Sequence, residues 1–272
     1  MPQRVETKKI VIVVRTYPIP SMRGVENSCT AGITDEKEWI RLYPVPYRSL
    51  DPDQRFAKYQ WIKARVARGS DKRSESRRLK LDTVEVLSDP IPTDRAWKGR
   101  KELVYPLKSQ SLCELIRRRD KDGSPTLGFF KPARIESLSL DPDSPTWTTA
   151  QLHALGQGTL FEREPAVQLE KVPFKFVYKF TCDDKGCKGH DLSCTDWEMG
   201  QAWRDWRTKY GNGWEAKFRK RFETEMLYER ETHFYVGTVS NHPHRWIIIG
   251  LFYPPLTGDM PLFNGIEPDG SI

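Results

Sequence analysis

The sequence predicts an α+β protein with a β-rich, barrel-like or strongly bent N-terminal region. A Cys/His-containing loop, two helices and a β-hairpin follow it. Three observations point there. Short apolar runs alternate with polar residues through the first half. Aromatic residues recur at helical spacing between 199 and 226. Twenty prolines and 18 glycines argue against a helical bundle.

The elements follow in order. Residues 8–17 read as a strand closed by Pro18 and Pro20. Residues 29–33, 39–45, 59–68 and 80–87 are further strands, and Leu112–Arg119 is a short helix. Thr126–Leu140 returns to extended structure. The Pro- and Asp-rich stretch 141–149 then marks a boundary. In Pro173–Phe180, Phe174, Phe176, Tyr178 and Phe180 face one way, with Lys175 and Lys179 opposite. Thr195 to Glu198 fits a capping box, so a helix starts there with the stripe Met199, Trp203, Trp206 and Tyr210. After Gly211-Asn212-Gly213, a second helix carries Trp214, Phe218, Phe222 and Met226. His233–Val239 and Trp246–Tyr253 pair as a hairpin around His242 and His244.

The chain has 272 residues, which fits one large or two modest domains. Nine Trp, 10 Tyr and 12 Phe are enough to build a core. No apolar run approaches the ~18 residues of a membrane span, and the N-terminus lacks a signal-peptide core, so a cytoplasmic protein away from membranes is expected. Charge is uneven. The formal total is +7, but residues 1–140 hold 29 basic and 18 acidic side chains and residues 141–272 hold 15 and 19. This divides the chain into a basic region 1–140, a linker or long loop 141–171 and an α+β region 172–272. A basic half of this kind suits a polyanion.

Five cysteines carry the sharpest local signal. Cys182, Cys187, His190 and Cys194 form C-x4-C-x2-H-x3-C, with Gly186 and Gly189 permitting tight turns. Soft and borderline donors at short spacing suit a tetrahedral zinc ion, so this is read as a zinc loop, structural if all four residues are ligands and open to catalysis if one is not. The order resembles that of zinc knuckles, although the spacing departs from theirs. An odd thiol count with no secretion signal disfavours disulfides. An iron–sulfur cluster would need a distant thiolate, Cys29 or Cys113.

Two strands suggest a binding face. Tyr59, Trp61, Lys63 and Arg65 share one side of their strand, with Ile62, Ala64 and Val66 behind. Trp39, Arg41 and Tyr43 do the same over Ile40 and Leu42. Rings beside cations suit single-stranded DNA or RNA, and Arg73, Arg77 and Arg78 in the basic loop add phosphate attraction. The competing arrangement buries both faces, with rings packed under another layer. The expected function is therefore a zinc-stabilised nucleic-acid-binding protein. The alternatives are a metal-dependent nuclease using the acids from Asp183 to Glu198, centred on Asp183-Asp184-Lys185, and a non-enzymatic adaptor for an acidic protein partner.

Overall fold

Strand β1 (Val5–Arg15) organises the N-terminal half. Its run Ile10–Val14 is buried throughout because the strand serves two cores. Ile10 and Ile12 point into a barrel. Val11, Val13 and Val14 point out of it, against a second sheet. A register shift between Ile12 and Val14 lets the two adjacent valines face the same side. The computed structural model describes residues 4–21, 24–158 and 169–256.

The barrel contains β3 (Gly24–Thr34), β4 (Trp39–Val45), β5 (Trp61–Ala67) and β6 (Ser76–Leu79), with the short β2 (Ile19–Ser21) and β7 (Glu85–Val86) on its margins. Around the barrel the order is β1-β3-β4-β6-β5, and β5 pairs back onto β1 to close it. All neighbours are antiparallel except β4 and β6, which run parallel. The interior holds Ile10, Ile12, Ile40, Leu42, Ile62, Ala64, Val66 and Leu79. These include the aliphatic faces that alternation assigns to the core.

Helix α1 (Asp94–Val104), whose first turn holds left-handed residues Arg95–Trp97, leads to α2 (Leu112–Asp122). A second sheet then combines β8 (Leu127–Phe130), β9 (Arg134–Pro142), β10 (Phe174–Thr181), β11 (His190–Cys194), β12 (His233–Val239) and β13 (His242–Phe252), in the order β8-β12-β13-β11-β10-β9. Strands β11 and β13 are parallel. One face of this sheet packs on the barrel through Leu127, Phe129, Tyr235, Ile249 and Phe252. The other face carries Phe176, Tyr178 and Phe180. It is covered by α4 (Trp197–Tyr210) and α5 (Trp214–Arg219), the latter continuing as a π-helix over Lys220–Glu229. Met199, Trp203, Phe218, Phe222 and Met226 are buried there as expected, whereas Tyr210 is exposed.

Two boundaries differ from the sequence reading. Residues 127–142 belong to the second sheet, so strand membership changes before 127 rather than at 141. Charge follows solvent exposure, and pairing follows the cores. The stretch 141–171 is also more than a linker. It contains α3 (Thr149–Gly158), which packs on β2 and β3, and Trp147 donates to the Leu169 carbonyl at 2.7 Å. Residues 159–168 of it lie outside the described residues.

The start of α4 is a further correction. Asp196, not Thr195, is the N-cap, accepting from the Glu198 N–H at 2.7 Å. Thr195 turns its N–H and hydroxyl to the Ile248 carbonyl. Glu198 instead reaches Lys58 at 2.9 Å and accepts from the Tyr253 hydroxyl at 2.6 Å. A box-like cap occurs at α2 instead, with the return bond reaching the residue before the cap. Ser111 caps α2 by accepting from the Glu114 N–H, and Glu114 accepts from the Gln110 N–H.

Candidate metal centre and candidate nucleic-acid interface

Cys113 lies in the first turn of α2, fixed there by the buried Ser111 cap. Across from it, β10 ends in a turn that carries Cys182 and Cys187, and β11 begins at His190. Inside the turn, the Cys187 N–H bonds the Asp184 carbonyl at 2.9 Å and the Gly186 N–H bonds Asp184 Oδ1 at 3.0 Å. Gly189 adopts φ +90°, which a side chain would oppose. Arg117, one turn after Cys113, holds Asp184 Oδ2 at 2.7 Å and ties α2 to the turn.

The result is a group of Cys113, Cys182, Cys187 and His190 whose ligand atoms all lie within 4.8 Å of one another. Cys113 Sγ is 3.2 Å from His190 Nε2. Cys187 Sγ accepts the Cys182 N–H at 3.2 Å. Burial and the neighbouring thiols push Cys113 up to about 12, and burial raises Cys182. Burial acts the same way on Cys187. There, hydrogen bonds from the Cys182 and Gly189 backbone outweigh it and lower the thiol. Burial lowers His190, which favours the neutral imidazole that a metal ligand requires. Three thiols this close do not ionise together without a cation among them. Three sulfurs and one imidazole form a closed set of four donors, so the group could hold a metal ion.

Three of the four expected ligands are in this group, and Cys194 is not. Residues 190–194 form strand β11 rather than a loop, paired with Phe176–Phe180 of β10. Four residues of strand span about 13 Å, too far for His190 and Cys194 to share one ion. Cys194 is buried in the core, 4% exposed, next to Ile248 in the parallel pair. The missing donor was Cys113. Its signal was the Ser111-to-Glu114 box, which places it in a helical first turn beside an otherwise incomplete ligand set.

The proposed stacking face is largely an internal interface. Arg41 is fully buried and donates to Thr126 Oγ1 at 2.8 Å and the Thr126 carbonyl at 2.6 Å. Tyr59 is 2% exposed, with its hydroxyl 3.2 Å from that of Tyr235 and Arg100 over its ring. Trp39 packs edge-on against Tyr235, and Trp61 joins the same core. Tyr43 sits under Arg73. Arg73 is held by Asp71 and the Thr238 carbonyl, and Arg77 donates to the Ser74 and Ser76 carbonyls. The outer side of β4 therefore meets the second sheet, not solvent. Lys63, Arg65 and Arg78 are exposed. Lys9 lies opposite Lys63 in the β1–β5 ladder, and the Lys80 N–H bonds the Arg65 carbonyl. Together Lys9, Lys63, Arg65, Arg78 and Lys80 line the outer side of β1, β5 and β6, where Glu85 pairs with Lys63. No helix among the described residues is long and apolar enough to cross a membrane.

The class of protein is thus a closed five-stranded barrel packed on a mixed sheet that carries a Cys3His group. Residues 108–267 match the family model described as Domain of unknown function (DUF8757), and residues 6–106 match one described as Domain of unknown function (DUF8758). The chain belongs to the DUF8757 family. No curated protein matches it.

Proposed function

We propose that this is a zinc-stabilised nucleic-acid-binding protein that meets its polyanion through the exposed basic side of the barrel. The carrying observation is the strip Lys9, Lys63, Arg65, Arg78 and Lys80 on adjacent strands. The closed five-stranded barrel, with one parallel pair between β4 and β6, resembles the five-stranded Greek-key barrels that bind oligonucleotides and oligosaccharides. That support is analogy of fold alone. In those barrels the second and third strands form the binding face. Here the equivalent strands, β3 and β4, pack on the second sheet, so the contact is assigned to the opposite side and to phosphates rather than to stacked bases.

Zinc is the metal assigned to the Cys3His group, because thiolate and imidazole donors in a closed set of four favour it. Its role is to join α2 to the β10–β11 turn. Less supports cleavage. Asp184 is committed to Arg117 and to the Gly186 backbone.

The test is fluorescence anisotropy with single- and double-stranded DNA and RNA at two salt concentrations, with and without Mg²⁺. Affinity that falls steeply with salt, and drops at least tenfold in the triple variant Arg65→Glu, Arg78→Glu, Lys80→Glu, supports the reading. Absence of salt-sensitive affinity for every polynucleotide removes it in favour of the adaptor. Mg²⁺-dependent cleavage points to the nuclease.

A further inference from the structure

One end of the barrel carries buried hydrogen-bonding groups that no described residue answers. Arg15 closes β1 and lies directly across from Thr30 of β3. Ser28 is two residues along, on the same inward side, with Thr30 paired to Leu42 and Ser28 to Val45 of the barrel core. Thr30 and Ser28 are 0% and 1% exposed. Arg15 Nε and Nη1, Ser28 Oγ and Thr30 Oγ1 are all buried without a hydrogen-bond partner among the described residues.

Aromatic rings flank the arginine. The Arg15 guanidinium lies 3.9 Å from the Tyr47 ring centroid and 4.5 Å from that of Trp197, so rings cover its surface while its N–H edge stays free. Tyr17 stacks on Trp197 at 5.6 Å and extends the aromatic wall. Glu26, the nearby buried carboxylate of β3, is taken by Arg48, with 2.6 Å to Nε and 3.2 Å to the backbone N–H. Arg15 itself makes no ion pair among the described residues, and its Nε and Nη1 are buried without a partner there. Arg15, Tyr47 and Trp197 remain partly exposed, which opens the site to solvent.

We propose that Arg15, Ser28 and Thr30 bind a phosphate group at the Tyr47–Trp197 end of the barrel. A guanidinium edge and two hydroxyls supply up to four donors, which suits a tetrahedral oxyanion better than a planar carboxylate. The phosphate is either free or the terminal group of a polynucleotide. The site is distinct from the basic strip and stands or falls separately.

Isothermal titration calorimetry of the full chain with inorganic phosphate tests this, followed by one oligonucleotide carrying either a 5′-phosphate or a 5′-hydroxyl. Saturable phosphate binding is expected, weakened at least fivefold in Thr30→Val, which keeps the side chain's shape, and at least twentyfold in Arg15→Met. A fivefold preference for the 5′-phosphorylated strand identifies a strand end as the source, and equal affinity for both strands identifies free phosphate. Circular dichroism checks folding. If Arg15→Met does not fold, Thr30→Val and Ser28→Ala decide. No saturable phosphate binding by the wild-type chain, or binding unchanged in the folded variants, overturns the site. Neither result bears on the salt-sensitive affinity of the strip.

Discussion

Cys113 and His190 are 77 residues apart in sequence, yet Cys113 Sγ lies 3.2 Å from His190 Nε2. That contact joins the first turn of α2 to the start of β11 and completes a ligand set that the β10–β11 turn alone leaves one donor short. Removing the metal is therefore expected to loosen α2 from the sheet. Chelator should lower the melting temperature, and hydrogen exchange should rise over Leu112–Asp122 and Cys182–His190 before it rises in the barrel. Unchanged exchange in α2 after metal removal would contradict the coupling.

Arg41 is expected to be a stability residue. Arg41→Ala removes the hydrogen bonds to Thr126, and Glu75, which accepts from the Thr126 N–H and hydroxyl, loses its buried neighbouring cation. Losing those bonds and emptying a fully buried site of this size costs about 3–5 kcal/mol. Urea unfolding should show that loss. Nucleic-acid affinity of the fraction that remains folded should stay within twofold of wild type.

This case shows what alternation can and cannot reveal. Period-two patterning identified Ile40, Leu42, Ile62, Ala64 and Val66 as barrel interior, because one side of each strand is uniformly aliphatic. It also separated Trp39, Arg41 and Tyr59 onto the other side. What covers that side is decided by Thr126 and Tyr235, far along the chain, and no local pattern reports them. The metal set was legible to three donors for the same reason. Cys182, Cys187 and His190 are local, whereas Cys113 arrives through the packing of α2. Cys194 has the spacing of a loop ligand, but β11 forms a strand there and carries it away from His190.

The two readings of the α4 start separate cleanly. Asp196 accepts from the Glu198 and Leu251 N–H groups and faces Lys58 at 3.4 Å. Asp196→Ala should cost about 3 kcal/mol, since it removes a cap, leaves the buried Leu251 N–H without its acceptor and takes one of two carboxylates from Lys58, which keeps Glu198. Thr195→Ala should cost under about 1 kcal/mol, the loss of one hydroxyl bond. Thermal or urea denaturation of both variants checks the order, and a larger loss for Thr195→Ala would restore the Thr195 cap.

His233 sets an acid limit. Its ring is buried, stacks on Phe129 at 5.0 Å and shares a 2.9 Å hydrogen bond with the Glu231 carbonyl through Nδ1. Burial lowers it to about 4 from the ordinary 6.5. The unfolded chain therefore binds the proton first. Stability is full above 6.5, falls as pH drops through the window from 6.5 to 4, and levels below it. The loss is about 3 kcal/mol. His233→Phe should flatten that segment of a stability–pH curve, and a curve equally steep in the variant would assign the loss to other groups.

The central claim is that Cys113, not Cys194, completes the metal centre. Metal analysis of the purified 272-residue chain, paired with cobalt substitution and its thiolate-to-metal absorption, tests it most directly. About one zinc per chain is predicted for wild type and for Cys194→Ala, with the cobalt spectrum of a tetrahedral three-thiolate site in both. Cys113→Ser should lose most of its metal and shift that spectrum toward two thiolates. Metal-free wild-type protein, or metal kept by Cys113→Ser and lost by Cys194→Ala, would contradict the account.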